Sequence, residues 1–183
     1  RPYRSAIAYI PSLLGEDALS KGLAFMEDVD PIETEIINRQ IARGLNSPLT
    51  SSMGRLFDAV SALIGIRGEI DYEGQAAVEL EMAVYSYHCS EHLSPVIVRS
   101  VSDEAISDTK ERYPYSITED KGIRIVQLGD LLSAIIEDLK RGISQGEISI
   151  KFHNTVALMT NQMCQLIANE TGIKQVALSG GVF

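Results

Sequence analysis

The chain has 183 residues, 45% of them hydrophobic, which is enough to bury one substantial core or two small lobes. Its 16 basic and 25 acidic side chains give a formal charge of −9 with no Lys/Arg cluster, which argues against electrostatic binding of nucleic acid. No apolar run approaches the roughly 18 residues that cross a bilayer, no signal peptide is recognisable, and Cys89 and Cys164 have no neighbouring cysteine, so neither a disulfide framework nor a four-thiolate zinc site is indicated and both are expected as buried free thiols. A cytoplasmic protein is expected. The start at Arg1 and the stop at Phe183, directly after Ser-Gly-Gly-Val, read as a piece of a longer protein.

Taken in order, Ile7, Ile10, Leu13 and Leu14 recur at helical spacing over Arg4 to Leu14, with Pro11 as a distortion and Gly15 as the stop. A short helix is predicted around Ala18 to Met26. Asp30-Pro31 reads as a cap followed by a first-turn proline, opening a helix to about Arg43 that stops at Gly44. After the loop Asn46-Ser47-Pro48, Thr50, Ser51 and Ser52 offer hydroxyls to the free backbone N–H groups of a helix that ends at Gly65. Within it Met53, Leu56, Phe57, Val60, Leu63 and Ile64 form an apolar stripe. Gly54, Asp58, Ser61 and Gly65 recur on another face, so small residues surround one carboxylate. Such a carboxylate suits ribose hydroxyls or a hydrated magnesium ion. The pattern alone is read more simply as a solvated aspartate on the wet side of an amphipathic helix.

A polar connection, Ile66 to Glu73, leads to a helix from Gln75 to about Tyr87, making a helical hairpin with Tyr72-Glu73-Gly74-Gln75 at the mouth of its second helix. Gly74 there permits close backbone approach by a ligand. Pro95 to Val98 is a candidate strand. Tyr113 to Thr118 and Ile123 to Val126 alternate about Glu119-Asp120-Lys121-Gly122 as a hairpin. Leu128 to Ile143 is amphipathic, and Glu147 to Asn169 continues as a long helix ended by Gly172. Lys174 to Ser179 is predicted as a short buried strand running into Gly180-Gly181, which implies a helix-rich α/β protein whose strand ends face a ligand crevice.

Adjacent glycines beyond a strand end, Gly180 and Gly181, can turn backbone N–H groups toward a phosphate or nucleoside, although an ordinary strand-to-helix turn has the same pattern. His88 and His92 have the four-residue spacing of a shared metal, but the helix is ending there and no third ligand is evident, so no metal site is assigned. His153-Asn154-Thr155, near the start of the long helix, reads as a cap or a satisfied core histidine, with a site-facing role as the alternative. No serine or cysteine nucleophile has a base at meaningful spacing.

Four ordered blocks, Ser47 to Val60, Tyr72 to Glu81, Lys151 to Thr155 and Val176 to Phe183, together resemble the HypF family, the carbamoyltransferases that mature nickel-iron hydrogenases. The resemblance implies the later part of a carboxy-terminal domain similar to the TsaD-type enzymes, with an actin/Hsp70-type (ASKHA) ATPase lobe carrying an inserted helical hairpin. The chain is then one incomplete TsaD-like domain, with a helical part over about 1–92 and a mixed α/β part over about 93–183. The family is expected to form carbamoyl-adenylate from carbamoyl phosphate and ATP with Mg, and to pass the carbamoyl group to the C-terminal cysteine of HypE for the cyanide ligands of the hydrogenase iron. Matched to the family pattern, Asp58 is the nucleotide-sugar ligand, Gly74, Gly180 and Gly181 approach the nucleotide, and Gly54, Glu73, His153 and Asn154 are further candidates. The family's metal ligands are expected outside this chain. The rival expectation is a docking module for HypE or neighbouring HypF domains with no nucleotide binding of its own.

Overall fold

The computed structural model describes residues 1–19, 23–90 and 112–178. It divides into two compact units, the first Arg1–Met82 and the second beginning at Ala83. Six helices and one hairpin make up the regular structure of the described residues: α1 (Pro2–Leu14), α2 (Pro31–Ala42), α3 (Met53–Leu63), α4 (Gln75–Ser90), β1 (Ser116–Asp120), β2 (Ile123–Gln127), α5 (Gly129–Lys140) and α6 (Gln145–Thr171). No helix among them is long and apolar enough to cross a membrane.

In the first unit α3 is the central helix. Leu56, Phe57, Val60 and Leu63 are buried as the spacing predicts, and α3 packs against α1, whose Ile7 and Ile10 are also buried. Burial extends further round the helix than the stripe, to Ala59, Ser61 and Ala62, and the 3₁₀ turn Ala24–Met26, with its buried Phe25, also lies against α3. Ser61 therefore does not belong to an open face. It is fully buried, and its hydroxyl has no hydrogen-bond partner among the described residues. Among the described residues, the segment predicted as a helix over 18–26 shows two 3₁₀ turns, Glu16–Ala18 and Ala24–Met26.

Local signals set the helix ends. Asp30 Oδ1 accepts from the Ile32 N–H at 2.8 Å and Pro31 occupies the first turn of α2, so the orphan donors are met as expected. The start of α3 differs: Ser52 is its cap residue but makes no side-chain cap bond, and Thr50 Oγ1 accepts from the Ser52 N–H instead. At its other end Ile66 N–H donates to the Ser61 carbonyl at 2.9 Å and Gly65 N–H to the Ala62 carbonyl at 3.0 Å, a Schellman closure with Gly65 at φ 77°.

The second unit contains the hairpin and two helices. β1 and β2 pair antiparallel, Ser116 opposite Gln127 through Asp120 opposite Ile123, and the two-residue turn Lys121-Gly122 has φ 51° and 80°, as a type I′ turn requires. The described sheet has these two strands alone. The candidate strand at Pro95 to Val98 lies outside the described residues. The strand predicted from Lys174 is not found over 174–178: the segment has no strand pairing, and Val176 and Leu178 are 60% and 61% exposed. An apolar run becomes a buried strand only when neighbouring strands take its backbone N–H and C=O groups, and no partner strand is described beside this one.

Leu131, Leu132, Ile135 and Ile136 of α5 and Ile148, Phe152, Val156 and Met159 of α6 form the apolar core of this unit. A polar knot is built into it. Tyr113 Oη donates to Asp138 Oδ2 at 3.0 Å, Lys151 Nζ donates to the same oxygen at 3.0 Å, and the Tyr113 backbone N–H donates to Thr155 Oγ1 at 2.8 Å. Lys151 also meets Glu147 at 3.3 Å. The partners answer one another, so the buried Asp138 carboxylate is satisfied from two elements. At the surface, Arg124 of β2 pairs with Glu170 of α6.

Two measurements follow from these contacts. Gly65→Ala should lower stability in urea unfolding by about 1 kcal/mol, the cost of a side chain at positive φ. Burial first, and then the charge of Asp138, push the Tyr113 phenol well above its ordinary value of 10.0. Above about pH 10 the unfolded chain ionises this tyrosine while the folded protein keeps it neutral, so stability should fall as pH rises from there. Tyr113→Phe should cost about 1–3 kcal/mol near pH 8, through the unpaired Asp138 lone pair, and should decline less steeply between pH 10 and 11.

Candidate functional site

Asp58 stands on α3 between Phe57 and Ala59, both buried, and its own side chain is 15% exposed. It is neither a freely solvated surface group nor a fully enclosed one. Arg55, one turn earlier and largely exposed, reaches Asp58 Oδ2 at 3.5 Å, the outer limit of a hydrogen bond. Burial raises the Asp58 carboxyl above its ordinary range, with Arg55 pulling it back by a smaller amount. A carboxylate offers about four lone-pair directions. Among the described residues its one contact is this long one to a solvent-facing guanidinium, which leaves capacity for hydroxyl donors.

The other members of the predicted small-residue face separate in the structure. Gly54 is half-buried in the first turn of α3, Gly65 is exposed at its end, and Ser61 is buried in the core. The open space beside the carboxylate is thus smaller than the spacing implied.

Gly74 directly precedes α4 and has φ 83°, and a Cβ built there meets nothing within 4 Å. Its backbone conformation alone favours glycine. The space above it is open, so approach by a ligand is permitted. Glu73 beside it is exposed. Loop residues 66–74 connect α3 to α4, and the Tyr3 N–H of α1 holds them through the Gly68 carbonyl at 3.2 Å. A network missed in the sequence holds them from the other side. Arg67 Nε and Nη2 donate to Glu79 Oε2 and Oε1 at 2.7 and 2.6 Å, Gln75 Nε2 donates to Glu79 Oε1 at 2.9 Å, and the Asp71 N–H donates to Gln75 Oε1 at 2.7 Å. The i, i+4 spacing of Gln75 and Glu79 was legible in the sequence. Their long-range partner was not.

His153 and Asn154 lie inside α6, two turns beyond its start, so the capping role does not hold: Ser144 Oγ caps the helix by accepting from the Glu147 N–H at 3.2 Å. His153 Nδ1 lies 2.8 Å from the Ser149 carbonyl and 3.2 Å from its hydroxyl, and its ring meets Phe152 edge-on at 5.8 Å, the arrangement of a satisfied histidine. Thr155, the third of the trio, is buried and donates to the Lys151 carbonyl at 2.6 Å. Gly180 and Gly181 lie outside the described residues, as do His92 and the His88 side chain. Among the described residues no cluster of three or more His, Cys, Asp or Glu side chains is placed to hold a metal ion. A shallow depression of about 500 Å³ lies along α2, lined by Pro31, Thr34, Asn38 and neighbours on that one helix, and contains none of the candidate residues.

The family model described as carbamoyltransferase, Kae1-like domain, second subdomain matches residues 1–183. The chain is 29% identical to the carbamoyltransferase HypF of Synechocystis sp. over 100% of its own length and 22% of that protein. It is 31% identical to carbamoyltransferase HypF2 of Cupriavidus necator over 81% of this chain and 18% of that one. A solved structure, full-length HypF in the phosphate- and nucleotide-bound form, superposes with a TM-score of 0.75 at 38% identity, covering 98% of this chain and 24% of that chain. The chain therefore spans about a fifth of the length of these relatives. It belongs to the HypF carbamoyltransferase family, as the second subdomain of the Kae1-like domain.

Proposed function

We propose that this chain is a nucleotide-binding part of an ATP-dependent carbamoyltransferase, one that forms carbamoyl-adenylate from carbamoyl phosphate and ATP with Mg and passes the carbamoyl group to the C-terminal cysteine of a HypE partner. The observation that carries the nucleotide reading is the state of Asp58: partly desolvated, raised in pKa by burial and, among the described residues, held by one long contact. A carboxylate so placed is under-satisfied, and two vicinal hydroxyls of a ribose would supply the missing donors. The HypF structure that this chain resembles at 38% identity was solved with phosphate and nucleotide bound, which supports the same reading.

In this scheme Asp58 holds the sugar and the backbone at Gly74 approaches the nucleotide without side-chain obstruction. Gly54 and Glu73 flank these two positions in sequence. Gly180, Gly181, His153 and Asn154 enter on the family resemblance alone. The chain's residues contribute orientation and charge placement, which lower the barrier without a covalent enzyme intermediate.

Calorimetric titration with ATP and magnesium tests the assignment. Asp58→Ala should weaken binding by about tenfold to a hundredfold, the worth of about 1.5–3 kcal/mol for hydrogen bonds to a charged group. Equal affinity in the variant would remove Asp58 from the site. A wild-type protein that associates with a HypE partner yet takes up no ATP would favour the docking-module reading.

Protonation gives a second, independent prediction. Binding should weaken on acidification with a midpoint above the ordinary aspartate value of about 4, and Asp58→Asn should flatten that dependence. Because the folded pKa is raised, stability is lost as pH rises from the ordinary aspartate value of about 4 through the folded one, and the loss is complete above it. Asp58→Asn should accordingly match or exceed the wild-type melting temperature at pH 7 while binding nucleotide less well.

A further inference from the structure

We propose that Arg67 is a positioning residue for nucleotide binding: its fork on Glu79 locks the loop 66–74, and with it the backbone of Gly74, in the conformation that receives the ligand. The proposal rests on the reading that this unit binds nucleotide: a wild-type protein that takes up no ATP sinks that reading and the proposal with it, whereas ATP uptake by wild type with full affinity in Arg67→Lys sinks the proposal alone.

Residues 66–74 have no regular secondary structure, and Gly68, Glu69, Asp71, Tyr72 and Glu73 along them are exposed, so apolar burial does little to order this loop. What orders it is polar. The guanidinium of Arg67 meets both carboxylate oxygens of Glu79 at 2.7 and 2.6 Å, the parallel two-bond geometry that arginine alone supplies. Gln75 takes one oxygen of that same carboxylate and, from its other side, accepts the Asp71 backbone N–H at 2.7 Å. Arg67 and Asp71 are thus both fastened to one face of α4, four and eight residues beyond the glycine-closed end of α3. Gln75 is itself buried, so the Asp71 bond is not readily exchanged for water.

An ion pair this exposed contributes little to global stability, since Arg67 retains 38% and Glu79 23% of their side-chain exposure. Its effect falls on the population of the ordered loop. Apparent affinity is the intrinsic affinity scaled by the fraction of molecules already in the competent conformation. Loosening the fork therefore weakens binding while leaving the fold in place.

The test is a double-mutant cycle on the protein with ATP and magnesium as the probe, using Arg67→Ala, Glu79→Ala and the pair, with Arg67→Lys as the charge-conserving variant. Each single change, Arg67→Lys included, should weaken ATP binding by about three- to thirtyfold. The double variant should be no weaker than either single one, and melting temperatures should stay close to wild type. Amide hydrogen exchange at Asp71 should speed up in every variant, whereas amides in the core of α3 should not. Three outcomes overturn the proposal: full affinity in Arg67→Lys, additive losses that make Arg67 a direct ligand contact, or unchanged protection at Asp71. If Asp58→Ala binds ATP as wild type while the Arg67 series behaves as stated, the Asp58 assignment fails and the positioning role stands.

Discussion

Burial of α3 against α1 and the Ala24–Met26 turn is the constraint from which the rest of the first unit follows. Once Leu56, Phe57, Val60 and Leu63 are committed to the core, the 100° step of the helix leaves no freedom in where residue 58 points. Asp58 emerges at the edge of the buried arc, not on a fully wet face. That phase produces its partial desolvation, and the desolvation makes its carboxylate chemically unusual. A helix buried on one side only would have left the same aspartate an ordinary solvated charge.

The two units use polar groups in opposite ways. In the second, Asp138, Lys151, Tyr113 and Thr155 form a satisfied knot within an apolar core, where each partner removes the cost of burying the next. In the first, Asp58 and the Ser61 hydroxyl are short of partners among the described residues, while the network of Arg67 with Gln75 and Glu79 lies out on the loop. A core knot stabilises one packing of helices. The loop network adds side-chain anchors to a connection that the Tyr3 N–H already holds through the Gly68 carbonyl.

Several features set by neighbours within a few residues were readable from the sequence, although the hydroxyl cap expected at the start of α3 is not made by Ser52. Asp30-Pro31 at the start of α2, Gly65 at the end of α3, the Lys121-Gly122 turn and the apolar faces of α3 and α5 were all legible from capping, turn chemistry and helical periodicity. Readings failed where a second element intervened. Ser61 matched the open-face spacing but is fully buried in the packed first unit, and the segment 174–178 has the apolar run of a buried strand yet no described strand to pair with. His153 has the polar character of a cap but lies eight residues inside α6, which starts at Gln145; Ser144 holds the cap.

Four long sequence blocks were enough to identify the family, because the order and length of a match carry information that one short motif lacks. By itself the sequence determined the helical character, most helix ends and which residue would carry the candidate carboxylate. Tertiary structure alone decided how far that carboxylate is desolvated, which arginine secures the loop beside Gly74, and that Asp138 and Lys151 belong together. The division has a physical cause. Caps, turns and stripes are set by neighbours three or four residues away, whereas desolvation and long-range ion pairing depend on which distant segments the fold brings to the same place.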